Sequence, residues 1–395
     1  MARLPQELID TVVMEVKGKP DLQACSLAAW KFVPASQSSL FRRMYLEWDS
    51  SSRTAPAFER TRLFFQDHPH LTLYVRDLTL DIPKSHQDQA ILEIVLRMLR
   101  NLERLAINGH AQNWDDLLTD LTYTISCTIS LPSLQRLHLL RILRLPASVV
   151  LHAASCVRVL SLDRITPQSL RDIPAHIPPN TQLENLILPW CLATNALIRA
   201  CDFLLTPQNL RRLSVEVRDT GYYRPPIVAS AAHLRHLQLE CGISSIPFDL
   251  PLLPNLRSMV LVLPRLVGTE GLWTLPENLS STIVTLPAVS PRLEALHITI
   301  RISTFQTAPT WQDHIPFPLF AARSYRDQLP ALRDIQCCFG YFDTFMPCSG
   351  IWFELALQSF IELMESQMPA PFHDGILTVG RASHRSRVNY LDHLP

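Results

Sequence analysis

One short pattern of aliphatic and other positions returns along most of this chain: an aliphatic residue, two others, an aliphatic, one other, an aliphatic. It reads VRDLTL from Val75, LERLAI from Leu102, LQRLHL from Leu134, VRVLSL from Val157 and LENLIL from Leu183. It continues as LRRLSV from Leu210, LRHLQL from Leu234, LRSMVL from Leu256, LEALHI from Leu293 and LRDIQC from Leu332. In all ten the residue after the first aliphatic is Arg, Glu or Gln; the first seven intervals run from 22 to 32 residues, and the last two are 37 and 39. Alternation with period two predicts a short strand at each site, its second and third aliphatic residues facing inward. The spacings leave room for helical or turn connections, predicted at Asp88 to Arg100, Trp114 to Leu121, the Thr166-Pro167 start signal and Asn195 to Leu205. Stacking such units predicts a curved solenoid with a parallel sheet on its concave face.

The two ends break this pattern. Residues 4 to 46 read as three short helices and a closing strand. Leu8, Val12, Val13 and Val16 recur at helical spacing behind Pro5, and Gly18 and Pro20 interrupt them. Asp21 is placed to cap a second helix carrying Leu22, Cys25 and Leu27, and Ser36 to cap a third that leads to Leu40 and Phe41. A unit of about 45 residues rarely buries its own apolar surface. Its leucines, Trp30 and Phe32 therefore need cover, from the first repeats or from a separate protein. At the other end, Ile351, Phe353, Leu357, Phe360, Ile361 and Met364 share a helical face, and PFHDGILTV follows as a final strand. The organisation predicted is a helical module at 1–48, a repeat array at 49–350, a capping helix and strand at 351–380 and a tail at 381–395.

Composition narrows the function classes. Apolar residues make up 47% of the 395 and charged ones 18%, enough hydrophobic material for a substantial core. Lys+Arg and Asp+Glu balance at 36 each, so no net field favours nucleic acid or an anionic membrane, and neither is expected as a partner. The opening MARLPQELID lacks the apolar core of a secretory signal, and no run approaches 18 uninterrupted apolar residues. Nine scattered cysteines without a C-x-x-C pair read as reduced thiols, which places the protein in the cytoplasm or nucleus. No phosphate-cradling glycine loop, G-x-S-x-G or H-E-x-x-H occurs, and the His68/His70 pair has no neighbouring carboxylate or thiol to complete a metal site. The expectation is a non-catalytic protein without cofactor or metal.

Residues LPQELID from Leu4, followed by DLQACSLAAWKFVPASQSSLF from Asp21, resemble the F-box of many fungal proteins. Leu4, Pro5, Glu7, Leu8, Ile9 and Asp10 fall on the opening motif of that family. Leu22, Ala24, Cys25, Ser26, Leu27, Pro34, Ser36, Leu40 and Phe41 fall on the second. Phe32 stands where tryptophan is usual, Ala29 where cysteine or serine is usual, Trp30 where a basic residue is usual, and Glu15 at a more often apolar position. HPHLTLYVRDLTL, from His68, is similar to the first repeat of the same family. The resemblance implies an α/β protein in which a three-helix F-box module precedes a degenerate leucine-rich-repeat solenoid. It further implies a substrate-recognition adaptor of a Skp–cullin–F-box ubiquitin ligase. Leu4, Pro5, Leu8, Leu22, Leu27, Phe32 and Leu40 would then meet the Skp-type adaptor. The alternative is a leucine-rich-repeat interaction scaffold without ubiquitin-ligase coupling, which Trp30 and Glu15 favour.

A protein target needs a second surface. The side chains alternating with the inward aliphatics are expected on the concave face: Arg136, His138, Arg212, Ser214, Glu216, His236, Gln238 and Glu240. Val260 and Val262 are expected beside them as an exposed apolar patch, giving anchors flanked by polar groups that fix orientation.

Overall fold

The computed structural model describes residues 5–47, 57–166, 168, 182–188, 209–217, 224–241, 250–266, 272–273, 277–302, 310–311, 317–321, 324–341 and 350–381. The chain is α/β and divides into two compact units, one of residues 1–183 with 191–197, the other of 184–190 with 198–395. Residue 48 falls within the first of these units. The strand that closes the N-terminal helices is itself the first strand of the sheet in the first unit.

The first unit opens with helices α1 (Gln6–Met14), α2 (Lys19–Ala28) and α3 (Val33–Phe41), with a 3-10 turn at Trp30–Phe32 between the last two. Pro20 sits in the first turn of α2 and Pro34 in that of α3, where a missing N–H costs nothing. Asp21 and Ser36 therefore lie inside their helices; the expected caps do not form. Strand β1 (Arg43–Leu46) leads to α4 (Ala57–Asp67), a helix that the repeat pattern does not predict. Strands β2 (Asp77–Asp81), β3 (Arg104–Asn113), β4 (Arg136–Leu143) and β5 (Val159–Asp163) then alternate with α5 (His86–Met98), α6 (Thr119–Ile129) and α7 (Ala147–Cys156). The Ser85 hydroxyl caps α5 by accepting from the Asp88 N–H at 3.1 Å. Every strand pairs in parallel with the next, in the register that aligns the aliphatic triplets: Leu78, Leu105, Leu137 and Leu160 form one row, Leu80, Ile107, Leu139 and Leu162 the next. All eight are buried, as are Leu92, Val95 and Leu96 of α5 and Leu121, Ile125 and Ile129 of α6, so strands and connecting helices share one core.

The second unit repeats this solenoid-like arrangement. Strands β6 (Asn185–Leu188), β7 (Arg212–Val217), β8 (His236–Cys241) and β9 (Ser258–Leu266) run in parallel order. A two-residue pair, β10 (Leu272–Trp273) with β12 (Thr310–Trp311), stands apart from the main sheet. Strand β11 (Ala295–Ile302) adds to β9, β13 (Asp334–Tyr341) to β11, and β14 (Leu377–Arg381) closes the series after a helix at Gly350–Gln367. Buried rows again follow the triplets, with Leu186, Leu213, Leu237, Met259, Leu296 and Ile335 side by side.

The position after the first aliphatic has a structural job in both units. The Arg76 carbonyl accepts from the N–H groups of Glu103 and Arg104 at 2.7 and 2.9 Å, and the Arg211 carbonyl from those of Arg235 and His236 at 2.8 and 3.0 Å. The same forked bond recurs at Glu103, Gln135, Glu184, Arg235, Arg257 and Glu294. It starts each strand and leaves the side chain of that residue at the sheet edge, where only a polar group is comfortable.

Candidate docking surfaces

Helices α1 to α3 hold a small core of their own: Ile9, Val13, Leu22 and Ala35, with Val16, Phe32 and Leu40 packed against it. Leu22, Phe32 and Leu40 thus face inward, and their role in any interface is to support it. Leu4 lies outside the described residues. Pro5, Leu8 and Leu27 are at the surface, Leu8 at 53% and Leu27 at 87% of full exposure.

The outward set includes apolar residues that the resemblance did not supply. Val12 is 65% exposed and Trp30 78%. Helix α1 carries two apolar pairs at i, i+4 spacing. Ile9 and Val13 fill the core, and Leu8 and Val12, about 100° away around the helix, face out. One apolar stripe is what a surface helix needs for its own protein; a second is not accounted for by the fold. Gln6 Nε2 donates to the Lys31 carbonyl at 2.9 Å and to Asp10 Oδ1 at 2.8 Å, tying the start of α1 to the turn that presents Trp30. The module is also fixed to the rest of its unit. Phe41 stacks on Phe64 of α4 with ring centroids 5.7 Å apart, and β1 is in register with β2.

The residues expected on the sheet face fall in different units, Arg136 and His138 in the first and the rest in the second. Arg136 is exposed, while His138 is buried between Ala106 and Ser161 of the neighbouring strands. In the second unit Arg212, His236 and Glu240 are half-buried, Ser214 and Gln238 are buried, and the side chain of Glu216 lies outside the described residues. Val260 and Val262 are not an exposed patch: they are 2% and 3% exposed. Val260 is flanked in register by Gln238 and His297, and Val262 by Glu240 and Thr299. Parallel strands lie only about 4.8 Å apart, so Val260 stands between two longer side chains, and Val262 between the longer Glu240 and a threonine of its own size. What remains accessible is polar and charged.

Electrostatics single out His236. Burial, then the charges of Arg212, Arg235 and Arg257, push its pKa down to about 4, so the ring is neutral at physiological pH. Its Nδ1 and the Oγ of Ser258, its register partner on β9, are both buried without a hydrogen-bond partner among the described residues. His297 is also held below the ordinary histidine range by burial, partly offset by Asp334 at 3.6 Å.

Elsewhere the chemistry is structural. His110 and Ala111 adopt left-handed backbone where β3 bulges, and His110 Nε2 lies 2.9 Å from Asp81 Oδ1, which also accepts from Asn108 Nδ2 at 3.0 Å. These contacts pin the bulge that brings Gly109 against Ile142, where a Cβ would meet the Ile142 side chain at 2.7 Å. Cys337 is fully buried, and burial followed by the adjacent Cys338 raises its thiol far above the ordinary range. Among the described residues no group of three His, Cys, Asp or Glu side chains is placed to hold a metal ion, and no helix is long and apolar enough to cross a membrane. No protein-family model matches the chain, and no curated protein matches it by sequence.

Proposed function

We propose that this protein is a substrate-recognition adaptor of a Skp–cullin–F-box ubiquitin ligase. Its N-terminal helices dock a Skp-type adaptor, and its leucine-rich-repeat-like strand array receives a protein target. The observation that carries the reading is the second apolar stripe of the N-terminal module. Leu8, Val12, Leu27 and Trp30 stand in solvent although the same three helices already enclose a core. Burying a leucine or valine side chain is worth about 1.5–3 kcal/mol. A few such anchors in a partner's groove supply most of the affinity of a helical docking surface. The F-box resemblance of residues 4–41 names that partner chemistry, and the Phe41–Phe64 stack and the β1–β2 pairing join the helical module to the strands of its own unit. The polar sheet face, with no apolar anchors in Val260 and Val262, supports a target held by hydrogen bonds and charge.

The test is titration of a Skp-type adaptor into the full chain and into its Leu27→Asp and Leu8→Asp variants. Both leucines are exposed, so the variants should melt as the wild type does. An unpaired carboxylate in an apolar pocket costs several kcal/mol, enough to remove a micromolar complex. Failure of the wild-type chain to bind leaves the interaction-scaffold reading in its place.

A further inference from the structure

The geometry points to a phosphate-binding groove at the edge of the second unit where its strands begin. The row of residues that start the strands reads Glu184, Arg211, Arg235, Arg257, Glu294 and Arg333, each joined to the next through the forked backbone bond. Three arginines in succession therefore stand just before adjacent parallel strands, an arrangement in which like charges repel unless something of opposite sign lies between them. The first unit avoids this: Arg42 and Arg76 both face Glu103, at 4.0 and 3.8 Å.

Arg211, Arg235 and Arg257 line a groove of about 540 Å³ with a fourth arginine, Arg292, from the turn before β11. Among the described residues one carboxylate, Glu294, enters it, 3.5 Å from Arg257. The walls are held in place from outside the charge row. Arg292 Nη1 donates to Asn255 Oδ1 at 3.0 Å, and Asn255 Nδ2 donates to the Ala232 carbonyl at 2.8 Å, so the turns of three successive repeats are linked. Among the described residues, four guanidiniums against one carboxylate leave an excess of positive charge over a preformed concavity. Guanidinium forks match phosphate oxygens in pairs, and a phosphate ester brings nearly two negative charges at neutral pH. A lone chloride lacks the paired oxygens that the fork matches, and a carboxylate, which has them, brings only a single negative charge. Burial first, then Arg212, Arg235 and Arg257 hold His236 below the ordinary histidine range, so two arginines of the groove act on a ring of the sheet face.

The groove does not depend on the ubiquitin-ligase reading, because it involves no residue of the N-terminal helices. The experiment is calorimetric titration of the full chain with inorganic phosphate and with pyrophosphate, against sodium chloride at matched ionic strength. Arg211→Gln/Arg235→Gln is the test variant; both side chains are exposed, and its melt should stay at the wild-type temperature. Should that variant melt early, Arg292→Gln, on a turn, carries the same comparison. Saturable phosphate binding, weakened at least about tenfold in the variant, is expected. Binding also offsets the arginine charge, so the His236 ring should titrate at higher pH in phosphate than in chloride. A phosphoserine peptide and its serine counterpart identify the source: selective binding of the phosphopeptide assigns the groove to a modified protein segment, and binding of the free anions alone to a small phosphate compound. Equal effects of phosphate and chloride, or undiminished binding by the variant, would overturn the assignment.

Discussion

Leu237→Ala tests the repeat register at its most exposed point, the middle of the second unit. Leu237 is buried on β8, with Leu213 and Met259 beside it in register and Leu234 and Leu239 buried in the same repeat. Truncation removes three carbons, forfeiting about 2.4 kcal/mol at about 0.8 kcal/mol each. Strands hydrogen-bonded on both sides cannot move in to fill the space, and each 50 Å³ of void left adds about 1.2 kcal/mol at about 24 cal/mol per Å³. The loss expected is therefore about 3–4 kcal/mol, or roughly 5–15 °C in the melting temperature of a unit this size. Circular dichroism of the full chain under heat and urea reads it, with Arg211→Ala as the control. Arg211 is exposed at the sheet edge, and its truncation should change stability by no more than about 0.5 kcal/mol. Because a slip of one residue turns every side chain to the other face, equal sensitivity at Leu237 and Arg211 would refute the register and the repeat assignment with it.

Two further outcomes follow from buried groups. His236 is neutral in the folded chain down to about pH 4 but protonates near 6.5 once unfolded, so the unfolded state binds the extra proton in that window. The contribution is present above pH 6.5 and is lost as pH falls toward 4; His236→Gln should flatten this part of the urea-midpoint profile, and an unchanged slope would remove His236 from the buried set. Native alkylation followed by mass spectrometry should label exposed Cys127 readily and spare Cys337 until denaturant is added. Early modification of Cys337 would mean that β13 is not a covered strand.

Much of the fold was legible because a single period carried it. All ten aliphatic triplets fall on parallel strands, with the second and third aliphatic positions inward, since alternation and a spacing of one repeat leave few other solutions. The helix after Ser85 and the C-terminal helix were legible for the same reason, one apolar face with clear ends. Helix α4 was missed because it precedes the first aliphatic triplet, so the repeat pattern that marks the other elements says nothing of it. The division near residue 183 leaves no mark in the sequence, because the strands on both sides carry the same triplet.

The candidate docking surfaces were legible only by residue type. The motif marks Leu8, Leu22 and Leu27 alike as apolar, but only packing decides that Leu22 closes the core and the other two face out. Val260 and Val262 occupy the outward phase of β9, and hydropathy cannot register that their register neighbours on β8 and β11 leave them little exposed. The arginine groove was half visible. A polar residue after the first aliphatic is constant along the chain, yet three arginines become neighbours only through the register of β7, β8 and β9.

The central claim is that α1, α2 and the turn after them form a docking face for a Skp-type adaptor while the strand array stays free. Hydrogen–deuterium exchange of the full chain, alone and saturated with the adaptor, measures this directly. The account predicts new protection confined to residues 6–32, with the strands from β2 to β13 exchanging as they do in the free chain. Protection that appears on those strands, with residues 6–32 unchanged, would contradict it.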